Sequence, residues 1–311
     1  MNMRLNEHSE LQQRLIPWRK KLAPGFSLRG WRSLPTGKPL IHFSHGNGLC
    51  CLAYEPFLKT LIQTHDLFLY DIQGHGDSDA GEAFLGWQEN ANLLDTLWQD
   101  FRSDYANVPN IGVGHSMGAI LTLLRASHFA NSFEQIFLLD PVLLSPSMIW
   151  GARMDRLLKS NRKMPLAEQA RRRFNGWPDA PSAFQFFHRQ PFFKSWSSAS
   201  LNAYIQHGLR HQDGELKLKC PPSLEASIFD SVPTTLWPAI RKLKTETHIL
   251  YGSNTFPFIE ASVQKATQKN KQIHAHKLSG DHCFVQARPD AIAQTLLHLI
   301  SGAEHAVTAS V

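Results

Sequence analysis

Short apolar runs that alternate with stretches of helical periodicity restrict how this chain can fold more than any other feature. The runs at 26–32, 40–44, 67–70, 111–114 and 136–139 read as strands. Between them, Leu52, Phe57, Leu58, Leu61 and Ile62 recur at helical spacing over 52–63, and Leu93, Leu94, Leu97, Trp98 and Phe101 repeat that period. Strands alternating with helices call for parallel strands joined by crossover helices, the α/β class. From 145 to 237 the strand-like runs stop. Basic residues (Arg153, Arg156, Lys159, Arg162, Lys163, Arg171 to Arg173) give way to Phe184, Phe186, Phe187, Phe192, Phe193 and Trp196, and prolines cut the stretch into short pieces. The alternation then resumes: a strand at 247–251, a helix at 259–267, a strand at 273–277 and a last helix over 287–300. The pattern predicts one sheet domain, 1–144 and 238–311, interrupted by a mainly helical insertion at 145–237.

Composition narrows the function classes. The 311 residues suit about two structural units, and 42% hydrophobic with 19% charged residues is globular. No apolar run reaches the length of a membrane span, and residues 1–22 lack the apolar core of a secretory leader. Cys50, Cys51, Cys220 and Cys283 match no zinc-ligand spacing and read as reduced thiols, so a cytoplasmic protein is expected. The net charge of +6 comes without a nucleic-acid module, and no such partner is expected.

Gly114-His115-Ser116-Met117-Gly118 lies between the strand at 111–114 and an apolar helix at 119–124. In that context G-x-S-x-G forms a sharp turn that lifts the serine hydroxyl out of the sheet and aims a helix N-terminus at the reacting centre. A glycine-rich turn with an idle serine is the plain alternative. A serine hydroxyl needs a base. Of 16 histidines, His282 is singled out by position, because 279–282 follows a strand and opens where ligands collect at a parallel sheet's carboxyl edge.

These segments, taken in order, resemble the α/β-hydrolase superfamily. They are His45-Gly46-Asn47-Gly48, then Asp71 to Ser78 with Gly74-His75-Gly76, the turn at 114–118, Leu139-Asp140-Pro141, and Gly280-Asp281-His282. Within it the chain looks like the capped bacterial esterases and lysophospholipase-like hydrolases. The resemblance implies an eight-stranded, mostly parallel sheet with helices on both faces and a helical cap, or lid, inserted after the sixth strand. It also implies oxyanion donors, the backbone N–H groups of Asn47 and Met117, with the Asn47 side chain left open. Many relatives carry the triad acid three residues after the glycine that ends the seventh strand. Here that segment is Tyr251-Gly252-Ser253-Asn254-Thr255, with no carboxylate, and Glu260 comes next. The other position used is the end of the sixth strand, where Asp140 stands. Asp140 is therefore the expected acid. Asp281 is set aside because it adjoins His282. Asp71, His75 and Asp77 are expected to build a structural loop.

The expected chemistry is hydrolysis of a small-molecule carboxylic ester through an acyl-enzyme on Ser116, with His282 as base and Asp140 as its partner. It requires no cofactor and no metal. Alternatives are a thioesterase or carbon–carbon hydrolase on the same triad, or a ligand-binding protein with little turnover. The clustered Phe and Trp residues either line an apolar acyl pocket or form the insertion's own core. The basic run is either a solvated face or a weak attraction for an acidic lipid surface. Oligomeric state is not legible.

Overall fold

The computed structural model describes residues 9–23, 25–158 and 164–302. Its strands are β1 (Ile16–Ala23), β2 (Phe26–Arg32), β3 (Leu40–Ser44), β4 (Asp66–Asp71), β5 (Asn110–His115), β6 (Gln135–Leu139), β7 (Leu209–Gln212), β8 (Glu215–Leu218), β9 (Glu246–Gly252) and β10 (Ile273–Leu278). Before the insertion come helices α1 (Glu55–Leu61), α2 (Trp87–Gln99) and α3 (Met117–His128). Within it lie α4 (Pro146–Leu157), α5 (Pro165–Arg171), α6 (Ala180–His188), α7 (Ser198–Gly208) and α8 (Pro222–Phe229). Then follow α9 (Leu236–Lys242), α10 (Ile259–Lys269), α11 (Phe284–Ala287) and α12 (Pro289–Ile300).

The main sheet has eight strands in the order β1-β2-β4-β3-β5-β6-β9-β10. Among the described residues of this sheet, the β1–β2 and β2–β4 pairs are antiparallel and the other neighbours are parallel. Every residue of β3 and β4 is buried, as strands covered by helices on both faces must be. One apolar layer joins the sheet to α1 and α12, and the other joins it to α2, α3, α9 and α10. In the second layer Arg125 is 1% exposed, paired with Asp95 at 3.1 Å and bonded to the Tyr70 hydroxyl at 3.0 Å. At that depth, leaving either charge alone costs about 3–5 kcal/mol.

From β3 the chain runs outward to β4 and later returns to β5 on β3's other side, so the strand order reverses between β3 and β5. Their carboxyl ends open a crevice there, and such a crevice is where ligands enter this kind of sheet.

The stretch between β6 and β9 departs from expectation in two places. It is not free of strands, for β7 and β8 form an antiparallel hairpin. Its far boundary is not at 237, because α9 runs through that position and packs on α3 of the core. The aromatic residues of the stretch pack on each other. Phe187, Phe193, Trp196 and Tyr204 are buried with ring centroids 4.8–5.9 Å apart. They are continuous with the apolar layer that joins the sheet to α1 and α12, so they are not a core of the insertion alone. The strand β1 was not anticipated either. Part of the basic run, Lys159, Arg162, Lys163 and the Arg156 side chain, lies outside the described residues. Among the described residues no helix is long and apolar enough to cross a membrane. The four cysteines are free and buried.

Candidate active site

The strand β5 ends in a turn that only small residues allow. A Cβ on Gly114 would lie 2.4 Å from the Gly118 carbonyl oxygen, and one on Gly118 would lie 2.1 Å from the Ser44 carbonyl oxygen. The two glycines let β5 double back into α3 while pressed against β3. Ser116, between them, is held at φ 54° and ψ −113°, with its N–H donating to the Leu139 carbonyl at 2.9 Å. A non-glycine residue with positive φ stores roughly 1–3 kcal/mol of strain, and such strain gathers at functional sites.

His282, in the loop after β10, places Nε2 2.9 Å from the Ser116 hydroxyl. Its Nδ1 stands 2.6 Å from Asp140 Oδ2. The carboxylate accepts, so Nδ1 carries the hydrogen and Nε2 presents its lone pair to the serine. The fold thus brings Ser116, His282 and Asp140, far apart in the chain, into one hydrogen-bonded row.

Asp140 is fully buried at the end of β6, with φ 41°. Its N–H donates to the Leu250 carbonyl at 2.7 Å, which continues the ladder to β9. Its Oδ1 accepts the Gly252 N–H at 2.8 Å, and its Oδ2 accepts the Thr255 hydroxyl. Thr255 thus stands in the segment after β9 that lacks an acid and grips the carboxylate supplied by β6. The two carboxylates set aside do other work. Asp281 accepts the Cys283 N–H at 2.8 Å, and Glu260 pairs with Lys277 at 2.7 Å.

Asn47 and Met117 flank the crevice. Met117 opens α3, so its N–H has no acceptor within the helix. The Gly46 N–H donates to the Tyr54 hydroxyl at 3.1 Å and the Gly48 N–H to His75 Nε2 at 2.9 Å. Among the described residues nothing accepts the Asn47 N–H between them. The Asn47 side chain turns the other way and donates to the Glu225 carbonyl of α8 at 3.1 Å. It ties this loop to the insertion.

The remaining histidines and acids of the motifs are structural. His45 donates from Nδ1 to the Gly46 carbonyl and accepts the Ile72 N–H at Nε2. Burial lowers its pKa to about 4 and that of His75 to about 3. Asp71 accepts the N–H groups of Cys51 and Asp77, and Asp77 pairs with Lys219 at 2.8 Å. Burial pushes the Asp71 carboxyl up. Among the described residues no three His, Cys, Asp or Glu side chains gather to hold a metal ion.

Residues 40–295 match the sequence pattern of the alpha/beta hydrolase family, and the chain belongs to that family. Over 120 residues it is 32% identical to monoglyceride lipase of Rattus norvegicus. That match covers 38% of this chain and 39% of the lipase, so it spans well under half of that relative's length. Among solved structures, E-2-(acetamidomethylene)succinate hydrolase superposes with a TM-score of 0.74 at 18% identity, over 92% of this chain and 99% of that one. The thioesterase domain from the curacin biosynthetic pathway superposes with a TM-score of 0.71 at 17% identity, over 91% of this chain and 99% of that one. At these identities the likeness is one of fold.

Proposed function

We propose that the protein is a serine hydrolase that cleaves small-molecule carboxylic esters through an acyl-enzyme intermediate. The observation that carries this reading is the unbroken relay from the Ser116 hydroxyl through His282 to Asp140, with separations of 2.9 and 2.6 Å. Ser116 attacks the ester carbonyl as His282 Nε2 takes its proton. The N–H groups of Asn47 and Met117 receive the developing oxyanion, and Asp140 stabilises the imidazolium. His282 then protonates the leaving alcohol and later draws a proton from the water that releases the acid. The partial likeness to monoglyceride lipase supports an ester as substrate.

The stretch between β6 and α9 acts in this reading as a cap over the site. It meets the oxyanion loop through Asn47 and Glu225, and it meets α1 through His207 and Glu55 at 3.3 Å. The aromatic cluster packs the cap on the layer of α1 and α12 rather than lining an acyl pocket. A weak attraction of the cap for an acidic lipid surface belongs to the same proposal: Arg153 is exposed on α4, the helix that also exposes Trp150 and Leu157.

Turnover of p-nitrophenyl esters of graded chain length, beside a thioester and a carbon–carbon substrate, tests the reading. Ester cleavage that falls by several orders of magnitude in Ser116→Ala is the expected outcome. Full activity in that variant, or preference for the thioester or the carbon–carbon bond, overturns it.

A further inference from the structure

The residue beside the nucleophile, His115, is 1% exposed and has no place in the relay. Both its ring nitrogens are engaged. Nε2 lies 2.9 Å from the main-chain carbonyl oxygen of His282, and Nδ1 lies 2.6 Å from the Tyr54 hydroxyl. A carbonyl only accepts, so Nε2 carries the hydrogen and Nδ1 accepts from Tyr54. Tyr54, also 1% exposed, then accepts the Gly46 N–H at 3.1 Å. The directions of all three bonds agree, and they join the loop that carries Asn47, the turn that carries Ser116 and the loop that carries His282.

That connection matters because it is made by the base's own main chain, whereas the other bonds of this loop are made by Gly280, Asp281 and Cys283. Among the described residues the bond from His115 is the one hydrogen bond made by the His282 main chain. Its side chain is fixed at the ends by Ser116 and Asp140, and its carbonyl is fixed by His115. The His115 ring is centred 5.0 Å from the His282 ring. Burial, with the neighbouring His282 adding to it, lowers the His115 pKa to about 3. The ring therefore stays neutral beside an imidazolium.

We propose that Tyr54 and His115 are positioning residues for ester cleavage, a tether that sets the His282 backbone against Ser116 and holds the oxyanion loop in the same frame. The proposal rests on Ser116, His282 and Asp140 being the catalytic relay. A misplacement near 1 Å can cost a reacting pair about 100-fold. The tether therefore shows in kcat while substrate binding is largely spared.

The test separates the bonds from mere packing. Glutamine at 115 can place an amide nitrogen where His115 Nε2 stands, whereas asparagine is too short to reach the His282 carbonyl and leucine only fills space. The expected result is a fall in kcat of about 10–100-fold for His115→Asn, His115→Leu and Tyr54→Phe, with KM within about 2-fold, while His115→Gln stays within about 3-fold of the parent. The double variant Tyr54→Phe with His115→Leu should be no worse than His115→Leu alone, because one chain of bonds is broken once. Parental kcat in the asparagine and leucine variants overturns the proposal, and so does a glutamine variant as slow as leucine. If the leucine protein does not fold, Tyr54→Phe decides by itself, and an unchanged kcat there overturns it. Ser116→Ala assayed alongside keeps the two claims apart. Activity surviving in Ser116→Ala sinks the relay, whereas a dead Ser116→Ala beside unaffected Tyr54 and His115 variants sinks only the tether.

Discussion

At the scale of single residues, the site is built by two backbone exceptions at adjacent strand ends. Ser116 after β5 and Asp140 after β6 both hold positive φ. Each turn takes its side chain off the strand's course and toward His282. The Asp140 carboxylate accepts from Gly252, Thr255 and His282, and every one of those donors prefers an acceptor-only group. Asp140→Asn would put an amide N–H opposite some of them and drive His282 to the tautomer with hydrogen on Nε2, which cannot take the serine proton. A fall in kcat of about 10³–10⁴-fold with the fold retained is expected from steady-state kinetics and circular dichroism. A loss smaller than tenfold would show that Asp140 only caps a turn. Ser116, His282 and Asp140 were legible because each sits at a strand end that the hydrophobic pattern marks. Thr255, Tyr54 and His115 were not. They act through hydrogen bonds to Asp140, His115 and His282, which lie 115, 61 and 167 positions away along the chain, and no local spacing encodes such partners.

At the scale of elements, the central strands were legible because both faces are covered and their apolar runs are continuous. The edge was harder. In β1 only Trp18 is buried, and Arg19, Lys20 and Lys21 break the pattern, as an edge strand that must resist pairing with other chains allows. The β7–β8 hairpin did leave a signal. Asp213-Gly214 forms its turn with φ 53° and 80°, the left-handed pair that a two-residue Asp-Gly hairpin requires. The aromatic and basic bias around it masked that cue. Proline spacing was the better guide in the insertion, since Pro165, Pro181 and Pro222 stand in the opening turns of α5, α6 and α8. The Leu52–Gln63 pattern covered a tight turn over Cys51–Tyr54 followed by α1, and that turn is what brings Tyr54 under His115.

At the scale of the whole molecule, the interior holds neutral histidines that the unfolded chain would protonate. Burial lowers His45 to about 4 and His75 and His115 to about 3, and it takes His42 well below its usual value. Below the ordinary histidine value of about 6.5 the unfolded chain binds protons that these folded sites refuse. Stability therefore falls as pH drops from about 6.5 toward 4, by about 1 kcal/mol per histidine over the first full unit. Urea midpoints should decline steeply between pH 7 and 5, and a flat profile would mean that these rings are not buried neutral. Ser116 is, in the proposed reading, a nucleophile activated by this folded frame. The most direct measurement of that activation is peptide mapping after treatment with a serine-directed fluorophosphonate near pH 7.5. One covalent adduct is expected, on Ser116, lost when the protein is unfolded beforehand and strongly slowed in His282→Ala. An unlabelled Ser116, or equal labelling with and without His282, would contradict it.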